Sequence, residues 1–201
     1  MEITADMVKE LRQATAAGIL DCRKALEVAE GDFDKAVDYL REKGLAKAAK
    51  RMDREAKDGL IVSYIHGGGR IGVLIEVNCE TDFVARTDDF RNLVEDIALQ
   101  VAAMSPKYIK REDIPASALD HERTIFRTQA LEEGKPEQVV DRIVEGRMEK
   151  FYQEVCLLEQ EFIRNEDQTI DDLLKAAITT TGENIIVRRF ARFELGESLG
   201  E

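Results

Sequence analysis

Few residues of this chain have the types and spacing that chemistry needs. His66 and His121 are the only histidines, and nothing in the sequence pairs them as base or metal ligands. His66 borders Gly67-Gly68-Gly69, where a solvated turn is the plainer reading. Cys22, Cys79 and Cys156 are widely spaced, odd in number and form no Cys-x-x-Cys. That usage fits a reducing, cytoplasmic compartment better than a disulfide framework. A Cys-dependent hydrolase would need Cys79 beside His66, whereas a lone cysteine is usually a small buried hydrophobe. Asn78, Glu80 and Asp82 alternate like a cation loop but lack the central Gly and closing bidentate Glu that calcium requires. The three glycines lack the Lys-Ser/Thr and following helix of a phosphate-binding loop. The expectation is a protein that is not an enzyme, with no catalytic residue, cofactor or metal.

The segment Glu80-Thr81-Asp82-Phe83-Val84-Ala85-Arg86-Thr87 is more informative. It follows an alternating apolar strand and precedes an amphipathic helix. An aromatic residue between Asp82 and Val84 stands where the chain leaves a sheet. Phe83 lies outside the apolar stripe that begins at Phe90 and follows the polar Thr81 and Asp82; on these residues alone a core aromatic at a helix start is the plainer reading, and an accessible rim the alternative.

Around these residues the elements follow from periodicity. Residues 1–52 read as three or four short helices. Thr4 is a candidate N-cap before an apolar stripe of Met7, Val8 and Leu11. Residues 15–18 read as a turn, and a second helix from about Asp21 turns Cys22, Ala25, Leu26 and Ala29 inward. Gly31-Asp32 ends it and caps a third helix with Phe33, Ala36, Val37 and Leu40 inside. Gly44 is expected to break that helix, and residues 47–57 read as a polar, basic hinge.

The period then changes to two. Residues 60–66 form one strand, the glycines a hairpin turn, and Ile71, Val73, Ile75 and Val77 one face of the returning strand. Helix 88–103 carries Phe90, Leu93, Val94, Ile97, Ala98, Val101 and Ala102 at helical spacing. Further helices are expected over 116–133, 137–158 and from a Thr169–Asp172 capping box to about Thr179. Residues 184–194 alternate again, a third strand antiparallel to the hairpin. Strands and helices do not alternate along the chain, so the class is α+β, not a parallel α/β sheet.

Composition sets limits. A chain of 201 residues can bury a core, and 44% hydrophobic with 35% charged residues is the balance of a folded globular protein. No apolar window long enough for a membrane helix exists, and the acidic start does not read as a secretory signal. The net charge of −12 disfavours direct nucleic-acid binding, since phosphate affinity comes from Lys and Arg. The negative excess is concentrated in residues 112–175, most simply a solvated helical face, alternatively a field steering a basic partner.

Two long motifs and three short ones, in order along nearly the whole chain, carry a resemblance. Residues 11–26, with Thr15-Ala16-Ala17-Gly18-Ile19-Leu20-Asp21-Cys22-Arg23-Lys24-Ala25-Leu26 at their centre, are similar to the opening motif of the elongation factor Ts family. Ala16 replaces a usual Gly there, and Ile19-Leu20 a common Met-Met. Val77-Asn78-Cys79-Glu80-Thr81-Asp82-Phe83-Val84-Ala85 resembles the family's second signature. The shorter matches are Gly134-Lys135-Pro136, Val144-Glu145-Gly146-Arg147-Met148, and Arg189-Phe190 leading to 193–197.

The resemblance implies an N-terminal three-helix bundle like a ubiquitin-associated domain at 1–52. An α+β core at 53–201 would follow, its three-stranded antiparallel sheet packed against helices. With a single core half, the chain looks like the short form of the family, which is expected to dimerise. The family's implied function is guanine-nucleotide exchange on elongation factor Tu. Thr81, Asp82, Phe83 and Val84 would then enter the partner near its Mg2+ and phosphate site, Phe83 as a wedge. Ile19 and Leu20 would bury apolar area on the nucleotide-binding domain, or else belong to the bundle core. The rival from another class is an adaptor whose bundle recognises helical or ubiquitin-like ligands.

Overall fold

Short polar side chains start the first and third N-terminal helices. The Thr4 hydroxyl accepts from the Met7 N–H at 3.3 Å ahead of α1 (Ala5–Thr15). Helix α2 (Ile19–Val28) begins two residues before the expected start, with Gly18 as its N-cap. The Asp32 carboxylate accepts from the Lys35 N–H at 3.1 Å ahead of α3 (Phe33–Ala49). The structure is a computed structural model in which residues 3–15 and 17–198 are described, so Ala16 of the expected turn at 15–18 lies outside them. The chain divides into two compact units.

The first unit takes the described residues up to Gly59, with Asn78–Phe90 and Leu174–Ile186. Its bundle core is Leu11, Cys22, Ala25, Leu26, Ala29 and Ala36, with Met7, Val8, Phe33, Val37 and Leu40 half-buried around it. This is the inward set the 3.6-residue period predicts. Gly44 does not break the third helix. A helix interior tolerates glycine at a cost of about 1 kcal/mol, and here the missing side chain allows close packing. A Cβ at Gly44 would stand 3.1 Å from the Thr179 Cγ2, and the Gly44 carbonyl accepts from the Thr179 hydroxyl at 3.1 Å. The basic hinge is corrected for the same reason: residues 47–49 are helical, and the Arg51 guanidinium donates to the Ile178 carbonyl at 3.0 Å. The single helical turn α4 (Asp82–Ala85) also belongs to this unit.

The second unit takes Leu60–Val77, Arg91–Leu173 and the described residues from Val187 onward. Alternation produces β1 (Asp58–His66) and β2 (Ile71–Cys79). The turn between them holds Gly67, Gly68 and Gly69 at φ of +61°, +69° and +92°, a region side chains disfavour. Val73, Ile75 and Val77 are buried, as the period-two reading requires. Helix α5 (Asp88–Met104) buries all seven residues of its predicted stripe. Helices α6 (Ala116–Glu132) and α7 (Glu137–Val155) form a hairpin around Ala130, Val140, Val144, Met148 and Tyr152.

Helix α7 stops three residues short of the expected 158. The Val155 carbonyl accepts from the N–H groups of Lys107 and Tyr108, at 2.9 and 3.0 Å, and the Leu157 N–H donates to the Tyr108 carbonyl at 2.9 Å. These bonds to a distant segment of the chain replace the helical ones. A small hairpin, β3 (Glu161–Phe162) with β4 (Asn165–Thr169), was not legible in so short and polar a stretch. The fully buried Gln100 holds it, donating to the Glu161 carbonyl and accepting from the Ile163 N–H, both at 3.0 Å. Helix α8 (Ile170–Thr181) opens on the predicted capping box, with the Asp172 N–H donating to Thr169 Oγ1 at 3.1 Å and the Thr169 N–H to the Asp172 carboxylate at 3.2 Å. Strand β5 (Ile186–Glu194) completes an antiparallel sheet of order β1-β2-β5, packed against helices. The α+β class read from the sequence is the observed one. Among the described residues, no helix is long and apolar enough to cross a membrane.

Candidate partner-binding site

His66 and Cys79, the pair a cysteine hydrolase would need, stand at the two ends of one hairpin. His66 borders the hairpin turn and shares a 2.9 Å hydrogen bond with the Tyr64 hydroxyl. Cys79 ends β2, so the extended strand lies between them. The Cys79 thiol is buried and donates to the Thr81 carbonyl at 3.1 Å, and burial pushes its pKa up to about 11. It is therefore protonated at neutral pH and a poor nucleophile. Among the described residues, no group of three or more His, Cys, Asp or Glu is arranged to hold a metal ion.

The segment after β2 is built differently. Thr81 is the N-cap of α4, its backbone extended at φ −133°, and its hydroxyl oxygen accepts from the Val84 N–H at 3.5 Å. Asp82 pairs with Arg86 at 2.7 Å, one helical turn on. The Thr87 hydroxyl donates to the Val84 carbonyl at 2.7 Å and accepts from the Phe90 N–H at 3.2 Å, which joins this turn to the start of α5. Val84 is half-buried and Ala85 buried. Phe83 points outward, 80% exposed. A phenyl ring left in water within so closely bonded a turn buries little area of its own chain, and the area it withholds is available to another molecule.

A residue the sequence reading missed holds this turn in place. The Glu183 carboxylate accepts from the N–H groups of Glu80 and Thr81, at 3.1 and 3.0 Å, and from the Thr81 hydroxyl at 2.6 Å. The only sequence signal is the polar run Gly182-Glu183-Asn184 between an amphipathic helix and a strand, which reads locally as an ordinary turn.

Ile19 and Leu20 begin α2 and are 56% and 82% exposed, which takes them out of the bundle core. The neighbouring Asp21 is partly exposed and turns toward α3. Its carboxylate accepts from Lys43 Nζ at 2.8 Å and Lys47 Nζ at 2.9 Å, and these hydrogen bonds hold its pKa down to about 2. The two lysines sit one turn apart on α3, so the pair fixes the start of α2 against that helix. Both candidate sites belong to the first unit.

Bare apolar side chains thus stand at two helix starts, each with polar groups bonded behind it, in a helical-bundle and α+β fold. The comparison with known families is specific. The family model described as elongation factor TS matches residues 2–197. Elongation factor Ts of Thermoanaerobacter pseudethanolicus is 62% identical over 197 residues, covering 98% of this chain and 97% of the relative. Elongation factor Ts of Caldanaerobacter subterraneus is 61% identical over 98% of each chain. Elongation factor Ts of Moorella thermoacetica is 60% identical over 98% of this chain and 97% of its own. The chain belongs to the elongation factor Ts family and is a translation elongation factor.

Proposed function

We propose that the chain is a guanine-nucleotide exchange factor for elongation factor Tu that works without bond-making chemistry. The observation that carries the reading is Phe83, exposed at the tip of a firmly held turn in a chain of this family. A nucleotide held by phosphate contacts and Mg2+ leaves slowly. A factor that binds the empty or distorted partner more tightly than the loaded one shifts the equilibrium, about tenfold for each 1.4 kcal/mol of differential affinity. In this reading Ile19 and Leu20 anchor the bundle, residues 1–52, on the nucleotide-binding domain. Residues 81–84 enter beside the Mg2+ and phosphate site, with Phe83 as the wedge and Asp82 repositioning local backbone. The protein acts in the cytoplasm, needs no cofactor and makes no direct contact with nucleic acid or membrane. Release of fluorescent GDP from purified elongation factor Tu tests the reading. Catalytic amounts of the protein should speed it, and no acceleration at micromolar protein would refute the assignment. An adaptor acting through the bundle alone would bind without accelerating release.

The working form is proposed to be a homodimer. One face of the sheet leaves Ile61, Ile65, Leu74 and Phe193 exposed, an apolar area that a second copy could cover. Arg189 pairs with Glu76 on that face at 2.7 Å, which places β5 residues 189 and 193 beside the β2 residues. Sedimentation should give twice 22.7 kDa. A monomer at high concentration would remove the dimer while leaving exchange activity to be judged by itself.

A further inference from the structure

We infer that Glu183 is the positioning residue for the exchange turn, an inference that rests on the exchange reading above. Its carboxylate accepts three hydrogen bonds from two residues, the N–H groups of Glu80 and Thr81 and the Thr81 hydroxyl, all between 2.6 and 3.1 Å. The arrangement is reciprocal: the Glu80 carboxylate accepts from the Asn184 N–H at 2.7 Å. Two neighbouring segments thus exchange carboxylates. The Asn184 amide adds a third, donating to the carbonyls of Met52 at 3.1 Å and Arg54 at 2.6 Å, just beyond the bundle's last helix. Asn184 is buried, and its two amide bonds tie the segment after the bundle to this junction.

The hub lies wholly within the first unit, which also holds the bundle and Phe83. Its consequence is mechanical. A wedge acts on a partner only if its base does not yield, and the base of the Phe83 turn is residues 80 and 81. Charge-assisted hydrogen bonds to backbone N–H groups are the stronger kind, and they fix main chain where a contact between side chains would not. A glutamine at 183 could keep both backbone bonds through its one amide oxygen and donate its NH2 to the Thr81 hydroxyl, but without the charge that strengthens them.

The test is the saturation curve for GDP release from elongation factor Tu with wild type, Phe83→Ala, Glu183→Ala and the double variant. Glu183→Ala is expected to lower the maximal rate about tenfold or more while moving the half-saturating concentration less than about threefold, since the bundle surface is untouched. The double variant should be no slower than Phe83→Ala alone, because a residue that acts through Phe83 has nothing left to position. An unchanged maximal rate for Glu183→Ala, or losses that multiply in the double variant, would overturn the assignment. Amide hydrogen exchange across residues 80–85 provides a readout that needs no partner. Protection should fall in Glu183→Ala and largely return in Glu183→Gln, which keeps the side-chain length and an acceptor oxygen for both N–H groups. Unchanged protection would equally overturn the assignment. If wild type itself fails to accelerate release, the exchange reading falls, and the amide measurement still decides whether Glu183 holds the turn.

Discussion

Leu20 and Phe83 are almost equally bare, at 82% and 80% exposure, yet the chain holds them in different ways. Leu20 stands at the start of a helix whose neighbour Asp21 is tied to two lysine side chains of α3. Phe83 stands on a turn whose backbone N–H groups are gripped by a carboxylate from the α8–β5 junction. Side-chain ion pairs between flexible lysines and a partly exposed carboxylate tolerate movement and are screened by salt. Hydrogen bonds to backbone N–H groups tolerate much less. The difference matches the two roles proposed. A docking surface must be sticky, whereas a wedge must be stiff.

The sharpest way to break this contrast is Phe83→Ala. With so little of the ring buried, its removal should cost well under the roughly 3–5 kcal/mol typical of a core phenylalanine. The rate of GDP release should nevertheless fall by about tenfold or more, the effect of losing an interaction made only in the distorted complex. Comparing melting temperature with release rate for this variant checks it. A large loss of melting temperature with a normal rate per folded molecule would return Phe83 to the core.

A smaller effect is expected from the bundle. Changing Ile19 and Leu20 together to Ser should weaken complex formation by about tenfold, the scale of one or two apolar contacts. The maximal rate at saturating protein should be nearly retained, and so should the thermal transition. Titration binding with calorimetry measures both. If the protein unfolds instead, the pair is structural.

The smallest effect concerns Asp21. Its carboxyl is held near 2, below the ordinary 3.8, so the ionised form is the one the fold favours. The stabilisation is fully present above about pH 4 and is lost as pH falls through about 2. Asp21→Asn should therefore be less stable than wild type at neutral pH and converge with it near pH 2. The pair is partly exposed, so the difference should stay below about 1 kcal/mol at moderate salt. Acid titration of the melting temperature for both proteins checks the sign. Equal stability at neutral pH would remove the ion pair from the account of how α2 is held.

Much of this was legible from residue order, because it depends on neighbours. Period 3.6 and period two placed α1, the start of α3, α5 and the β1–β2 hairpin, and the Thr169–Asp172 box placed the start of α8. Residue order alone left Phe83 between a core aromatic and an accessible rim, and it was the family resemblance that favoured the rim. The sequence left Ile19 and Leu20 between core and surface, since both readings suit an apolar pair beside a turn.

Tertiary structure decided whatever depended on partners far along the chain. Gly44 reads locally as a helix breaker, but its close approach to Thr179 makes it a packing residue inside a continuous helix. The end of α7 was set by hydrogen bonds from Lys107 and Tyr108, which no helical period reveals. Glu183 looked like a turn residue, and only folding brings its carboxylate to the amides of Glu80 and Thr81. By itself the sequence determined which residues would be apolar, which would cap and where the period changed, because those are properties of a few adjacent side chains. Which backbone groups a distant carboxylate would satisfy was left to the tertiary fold, because a hydrogen bond depends on distance in space and leaves no periodic trace in the order of residues.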